Sequence, residues 1–599
     1  MRVLVIKSGI RCSSDPAWGL GQDAALVDQV IRECNSMGHA KVEWVTHIDP
    51  TQFFCGPVAP KPAHIAIHLE QPCRAAWPWA TKHIVIVNQE WWPTDAWDWV
   101  KNDAECLFLF KSHYARSLFP ELDGKQCRII RWRAGNDIAR VLNSLGKAPP
   151  RREFLYLVGA STNKLEAARS IVAAWNVSLP ELKIVGTQAV LDLLQPIGKD
   201  KGVSFRLPYD TVEECVKAQA TYAYHVVASA AEGFGYTFAE AAAVGALPLW
   251  TGIPIYDELW SSLMGNVGRI AVSLGPPTEY RDSNTITMSA VDIVSAVQKL
   301  ITLDEPDETR LRGLLKHATA GHTKEFRNNW KTLLQVLSHK VKSVAVPSLP
   351  PAPPALEDLP HVAIITLTYN RKRWWGNMAQ NMLKTNYPPD RLTWIIADDS
   401  DGLERVDEDV MKFQSTNPTV NVKYLSIPKK LAIGDKRNRA CAAAPSTCTV
   451  FAMMDDDDHY PASSVAARVS WLLGLKKDCV YCSTLPMYDI RRYISAINVP
   501  PLTLPPYERV SEASLCFTRT FWEARKFPGP VNVAEAEAFL TGRMTETAEI
   551  PPYGILVSFI HTGNSSSRRV PKETESNGSH YGFDDSYFSY LCKIGGEAE

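Results

Sequence analysis

The sequence predicts an α/β protein with three parallel sheets, two before a proline-rich linker and one after it. Three observations carry that expectation. Short apolar runs alternate with helical stretches in both halves, the pattern of strands covered on both faces by crossover helices. Six prolines fall between Pro347 and Pro360, too many for a helix or a central strand. The 599 residues leave room for several domains on either side of that segment.

The elements follow in order. Strands are expected at 2–7, 64–68, 83–87, 106–110, 154–158, 182–185 and 224–228, where Val, Ile, Leu and aromatic residues cluster. Helices are expected between them at 21–35, 163–175, 211–220 and 237–244. The basic, proline-containing stretch from Lys147 to Arg152 breaks this half into lobes 1–150 and 151–342, and the helical run 309–342 closes the second. After the linker, 343–360, the pattern restarts in 361–599. Strands are expected at 362–367, 393–397 and 449–454, and helices at 374–384 and 436–443.

Lys and Arg total 64 and Asp and Glu 65, a net charge of −1. A chain that coats nucleic acid needs a basic excess, so that class is set aside. No apolar run approaches the roughly 20 residues that span a bilayer, which leaves only peripheral membrane contact open. The start reads straight into a strand without a signal-peptide pattern, so the expected location is cytoplasmic. The 13 cysteines are scattered; Cys479 and Cys482 form the one C-x-x-C pair, and buried free thiols are the expectation there.

In the first half, the strand at 224–228 runs into Glu232, Gly233, Phe234 and Gly235, and a helix carrying Glu240 follows. Ligands of parallel sheets sit beyond the carboxyl ends of strands, where a helix N-terminus suits a diphosphate. The same spacing, Thr237-x-x-Glu240, is also a capping box. The stretch from Glu232 to Pro248 resembles the E-x7-E signature of glycosyltransferase family 4, retaining enzymes of the GT-B fold with two Rossmann-like lobes. The resemblance implies that Glu232 faces the reacting sugar and that Glu240 accepts from ribose. It also implies that Lys164, at the turn after 154–158, neutralises the donor diphosphate without a metal. Relatives often place an Arg just before that Lys; here Gly159, Ala160 and Ser161 stand there, and Arg206 is a substitute. The Gly19-Leu20-Gly21 turn suits an acceptor lobe or a plain strand–helix turn. Trp91, Trp92, Trp97 and Trp99 can stack on sugar or pack, and His113 can be an acid–base group or structural.

In the second half, an apolar strand ends in Asp455, Asp456, Asp457 and Asp458. Four adjacent carboxylates repel one another, and a hard divalent cation is the natural compensation. Thr368, Tyr369, Asn370 and Arg371 follow the first strand of this half, Asp398 and Asp399 the second, and Lys436 and Arg437 open a later helix. In this order the set resembles glycosyltransferase family 2, inverting enzymes of the GT-A fold with a single Rossmann-like nucleotide-binding domain. The resemblance implies donor contacts from those residues and from Asp455 and Asp456. It implies Mn²⁺ or Mg²⁺ on Asp457, Asp455 and His561, and a general base at Glu535 or Glu537. Those two acids are separated by Ala536, so which one serves stays open.

The expectation is a bifunctional enzyme that adds sugars from UDP- or GDP-sugar donors to a growing glycan acceptor. The alternative is that only the second module is catalytic and the first is a degenerate glycan-binding scaffold.

Overall fold

The computed structural model describes all residues except 8–18, 40, 49–52, 54–60, 93–99, 135–137, 145–149, 160, 277–280, 283, 341–342, 346–347, 491–493, 498–506, 533, 565–582, 584 and 597–599. Trp97, Trp99 and Ala160 therefore lie outside the described residues. The chain divides into two units. The first holds Met1–His47, Ala63–Pro72 and Ala80–Ala345; the second holds Ile48–Pro62, Cys73–Trp79 and Val346–Glu599. Two short excursions of the N-terminal half thus count with the second unit, where Trp79 meets Tyr553 edge-on with ring centroids 5.6 Å apart. Nothing in their composition announced this.

The first unit contains two six-stranded sheets. One is built from β1 (Arg2–Lys7), β2 (Trp44–Ile48), β3 (Ala63–Glu70), β4 (Ala80–Val87), β5 (Cys106–Phe110) and β6 (Cys127–Ile129), in the order β2-β1-β3-β4-β5-β6. The other contains β7 (Arg151–Leu157), β8 (Leu182–Val185), β9 (Val203–Arg206), β10 (Tyr222–Val227), β11 (Leu247–Thr251) and β12 (Arg269–Ile270), in the order β12-β11-β10-β7-β8-β9. Every pair in this second sheet is parallel. The expected apolar runs are these strands, and their burial on both faces explains why they read as continuous rather than alternating. A short antiparallel pair, β13 (Ser273–Leu274) and β14 (Ile286–Thr287), follows. The long helix Glu305–Lys340 does more than close the second lobe. It packs on the helix Tyr236–Val244 and also on Gly19–Ser36 of the first lobe. There Phe326 meets Trp132 edge-on at 5.0 Å, and Arg327 pairs with Glu33 at 3.0 Å.

The second unit is built on a mixed seven-stranded sheet. Its strands are β15 (His361–Thr368), β16 (Leu392–Asp398), β17 (Val422–Ser426), β18 (Cys448–Met453), β19 (Cys479–Tyr481), β22 (Cys516–Thr518) and β23 (Thr547–Glu549), in the order β17-β16-β15-β18-β22-β19-β23. The half from β17 to β18 is parallel, as expected; β22 runs antiparallel to β18 and β19. A separate sheet joins β20 (Pro486–Asp489), β21 (Ile494–Ile497) and β24 (Ser558–Ile560). Cys479 and Cys482 are free and buried. No described helix is long and apolar enough to cross a membrane.

Candidate functional sites

In the first unit, β10 leads to Glu232 and then to the helix Tyr236–Val244. Gly235 caps that helix with φ of 87°, a left-handed conformation, and a side chain there would strike Tyr256. A Cβ on Gly233 would stand 2.4 Å from Asn88 Oδ1 of the first lobe, so this glycine permits the lobes' close approach. The capping-box alternative is not what forms, because the helix has no side-chain cap. Glu240 accepts from Gln219 Nε2 at 2.9 Å and from Gln22 Nε2 at 3.5 Å instead. Phe234 is buried against Tyr236.

Lys164, in the first turn of the helix Thr162–Ala174, pairs with Glu232 at 3.1 Å. A side chain at Gly159 would collide with the Lys164 stem at 2.8 Å, so the glycine makes room for this lysine. Arg206 is not brought to the pair. It ends the edge strand β9, two strands from β7, and lies exposed over Tyr209 at 3.8 Å.

The first lobe closes this site with the polar residues that precede the tryptophan cluster. Gln89 Nε2 donates to the Glu232 carbonyl at 2.7 Å, and Asn88 Nδ2 to Glu70 at 3.0 Å. The Gly19-Leu20-Gly21 turn opens a helix whose Asp23 accepts from Lys111 at 2.6 Å and from Tyr236 at 2.5 Å. Trp92 is a packing residue, set edge-on against Phe119. The His113 side chain is exposed, while its N–H donates to Glu258.

Burial pushes Glu70 up to about 7 and Asp282 up to about 6. It pushes Glu90 well above the carboxylate range, helped by the nearby charge of Glu232. The folded state therefore keeps protons that the unfolded chain releases near its ordinary carboxylate values. The contribution of these three groups must then fall as pH rises from about 4.5 past 7, by up to about 1.4 kcal/mol per pH unit per group. Buried His68 and His225, held neutral, act in the opposite sense below about 6.5, so the test is a difference. The melting temperature of Glu90→Gln relative to the native protein should rise with pH across that range, and a difference that does not change with pH contradicts this.

In the second unit the carboxyl ends of β15, β16 and β18 gather the other candidates. Asn370 donates to Asp401 at 2.9 Å and takes its N–H in return at 2.8 Å, clasping two loops, and Tyr369 also reaches Asp401. Asp398 turns inward and accepts from Ser400 N, Val406 N and Tyr424 Oη at 2.8, 3.0 and 2.8 Å. Burial alone would raise its pKa, but those hydrogen bonds outweigh it and hold Asp398 low. Asp399 accepts from Leu431 N and pairs with Lys436, whose ammonium also donates to the carbonyl of Thr368. Lys436 is thus committed to protein partners, and burial lowers its pKa.

Of the two acids separated by Ala536, Glu535 is buried and accepts from Arg437 Nε at 2.8 Å; Glu537 is exposed. Arg437 also stands 3.8 Å from Asp455. Sequence reading missed Glu512, which precedes β22. Burial and the charge of Glu535 push its carboxyl above the ordinary range. No motif flags it.

The four aspartates divide the work. Asp458 is fully buried and accepts from Phe559 N at 3.0 Å, a structural role. The Asp456 and Asp458 carbonyls accept from the buried Asn377 amide, each at 2.9 Å. Arg371 Nη1 bridges Asp456 Oδ1 and Asp457 Oδ2, both at 2.8 Å, and Nη2 donates to the Gly563 carbonyl at 2.7 Å. The compensation expected of a divalent cation is therefore supplied, in part, by a guanidinium.

Carboxylate oxygens suit Mn²⁺ or Mg²⁺, and Asp456 Oδ2 is buried without a hydrogen-bond partner, so the aspartates fit such an ion. His561 fits less well. Its Nδ1 accepts from Gly563 N–H at 3.0 Å, which puts the ring proton on Nε2, where it is donated to Asp457 Oδ2 at 3.1 Å. That nitrogen has no free lone pair until the turn rearranges. Among the described residues, no three His, Cys, Asp or Glu side chains stand together as a ready metal cage.

The chain matches no known family profile and no curated protein. Its likenesses are to solved structures. Mannosyltransferase PcManGT from Pyrobaculum calidifontis, in complex with GDP-Man and Mn²⁺, aligns with TM-score 0.28 and 18% identity over 35% of this chain and 60% of its own. S. aureus TarS 1–349, in complex with UDP-GlcNAc, aligns with TM-score 0.27 and 14% identity over 35% of this chain and 61% of its own. WaaG, a glycosyltransferase involved in lipopolysaccharide biosynthesis, aligns with TM-score 0.35 and 12% identity over 57% of this chain and 100% of its own. The chain spans about three fifths of the length of the first two.

Proposed function

We propose that the protein is a tandem glycosyltransferase using UDP- or GDP-sugars, with a retaining GT-B module in residues 1–342 and an inverting GT-A module in 361–599. One observation carries the reading most. The carboxyl ends of parallel strands β15, β16 and β18 bring together an aspartate turn, three buried or half-buried cations and a buried glutamate from a distant helix. Phosphate, sugar and acceptor hydroxyl chemistry all need groups of that kind in one place.

In this reading Glu535 takes the acceptor hydroxyl's proton as that oxygen attacks the anomeric carbon, and Arg437 holds the carboxylate in place. Asp455, Asp456 and Asp457 would hold a divalent cation, which supplies charge neutralisation for the departing diphosphate. In the first module Glu232 faces the transferred sugar and Glu240 the ribose. Lys164 and the glycine-lined backbone at Gly233 and Gly235 meet the phosphates. Tethering would raise the concentration of the first product at the second site.

Lys164 already spends its charge on Glu232, and this favours a second reading in which the first module binds glycan without turnover. EDTA separates the two readings. With a panel of radiolabelled UDP- and GDP-sugars, chelation should silence one transfer and spare another. A single transfer that chelation silences favours the second reading, loss of two distinct transfers contradicts a metal-free first module, and survival of every transfer contradicts metal dependence.

A further inference from the structure

We infer that Arg371 is an internal counter-cation that competes with divalent metal for the aspartate turn; the inference rests on reading that turn as a metal site. The geometry is direct. One guanidinium nitrogen reaches carboxylate oxygens of two successive aspartates at 2.8 Å each, and the other nitrogen ties down Gly563. Arg371 lies three residues beyond the end of β15, Asp456 and Asp457 lie just past β18, and Gly563 follows β24. One side chain therefore ties together three loops, adding to the contacts that Phe559 N and His561 already make with this turn. Asp456 and Asp457 are both buried, and two adjacent buried carboxylates cannot both stay ionised without a cation.

Arg371 is a permanent cation, since a guanidinium does not lose its proton in a protein. A metal ion that enters must share these carboxylates with a fixed positive charge a few ångströms away, and the two cations repel each other. The contact to Gly563 extends the consequence to His561. While Arg371 holds that turn, Gly563 N–H keeps His561 in the tautomer that donates to Asp457. Release of Arg371 frees two carboxylates and loosens the turn that fixes the imidazole. Arg371 is thus a positioning residue that makes metal binding weak until it has another anion, such as a diphosphate, to hold.

The test is Mn²⁺ binding by the full-length protein without nucleotide, followed by the loss of the free-ion electron paramagnetic resonance signal. Arg371→Met should bind Mn²⁺ roughly tenfold tighter or more than the native protein. Arg371→Lys, which keeps a cation there, should stay close to the native protein. Asp457→Asn in the Arg371→Met background should remove the gain. The competition is overturned if Arg371→Met binds no tighter, or if Arg371→Lys gains as much as the methionine variant. If Asp457→Asn changes Mn²⁺ binding in neither background, the metal reading of the turn falls and the inference with it.

Discussion

Glu535→Gln should lower kcat of the metal-dependent transfer by about 10²–10⁴-fold, the usual worth of a positioned general base. The substitution keeps size and leaves an oxygen to accept from Arg437 Nε, now 2.8 Å from the carboxylate. Donor KM should therefore change little, the signature of a group needed only in the transition state. Glu537→Gln should leave both constants near native values, because that side chain is exposed. Glu512 adds a pH signature. The charge of Glu535 helps raise its carboxyl, so removing that charge should move the Glu512 pKa downward. Steady-state kinetics of the two variants decides the assignment. A large loss in Glu537→Gln with none in Glu535→Gln would reverse it.

Glu232→Gln should reduce the metal-independent transfer by about 10²-fold or more, with donor KM unchanged or lower. The reason lies in the 3.1 Å pair with Lys164. A neutral amide no longer holds the ammonium, so Lys164 becomes more available to phosphate while the carboxylate proposed to face the sugar is lost. Lys164 has its pKa raised chiefly by Glu232, and the variant should lose that shift. Unchanged kcat would remove Glu232 from the site.

The parallel framework was legible because its strands are apolar on both faces. β11 was not, since Pro248 reads as a break. Its partner β12 pairs only Trp250 and Thr251, which leaves Pro248 beyond that ladder, where a missing N–H is tolerated. The aspartate turn, the E-x7-E spacing and the lysine turn were visible as local strings. What pairs with them was not. Arg371 meets Gly563 across nearly two hundred positions, Arg437 meets Glu535 across about a hundred, and Gln89 meets Glu232 from another lobe. Such pairs depend on which loops a sheet order brings together, and that order has no local signature. The expected open cations, Lys164 and Lys436, proved already paired for the same reason.

Product analysis decides whether one chain makes two separate transfers. The native protein, Asp457→Ala and Glu232→Gln would each be incubated with the radiolabelled sugar-nucleotide panel and a glycan acceptor. The native protein should make two labelled additions, with each variant losing a different one. Both variants losing the same addition, or neither losing any, would contradict it.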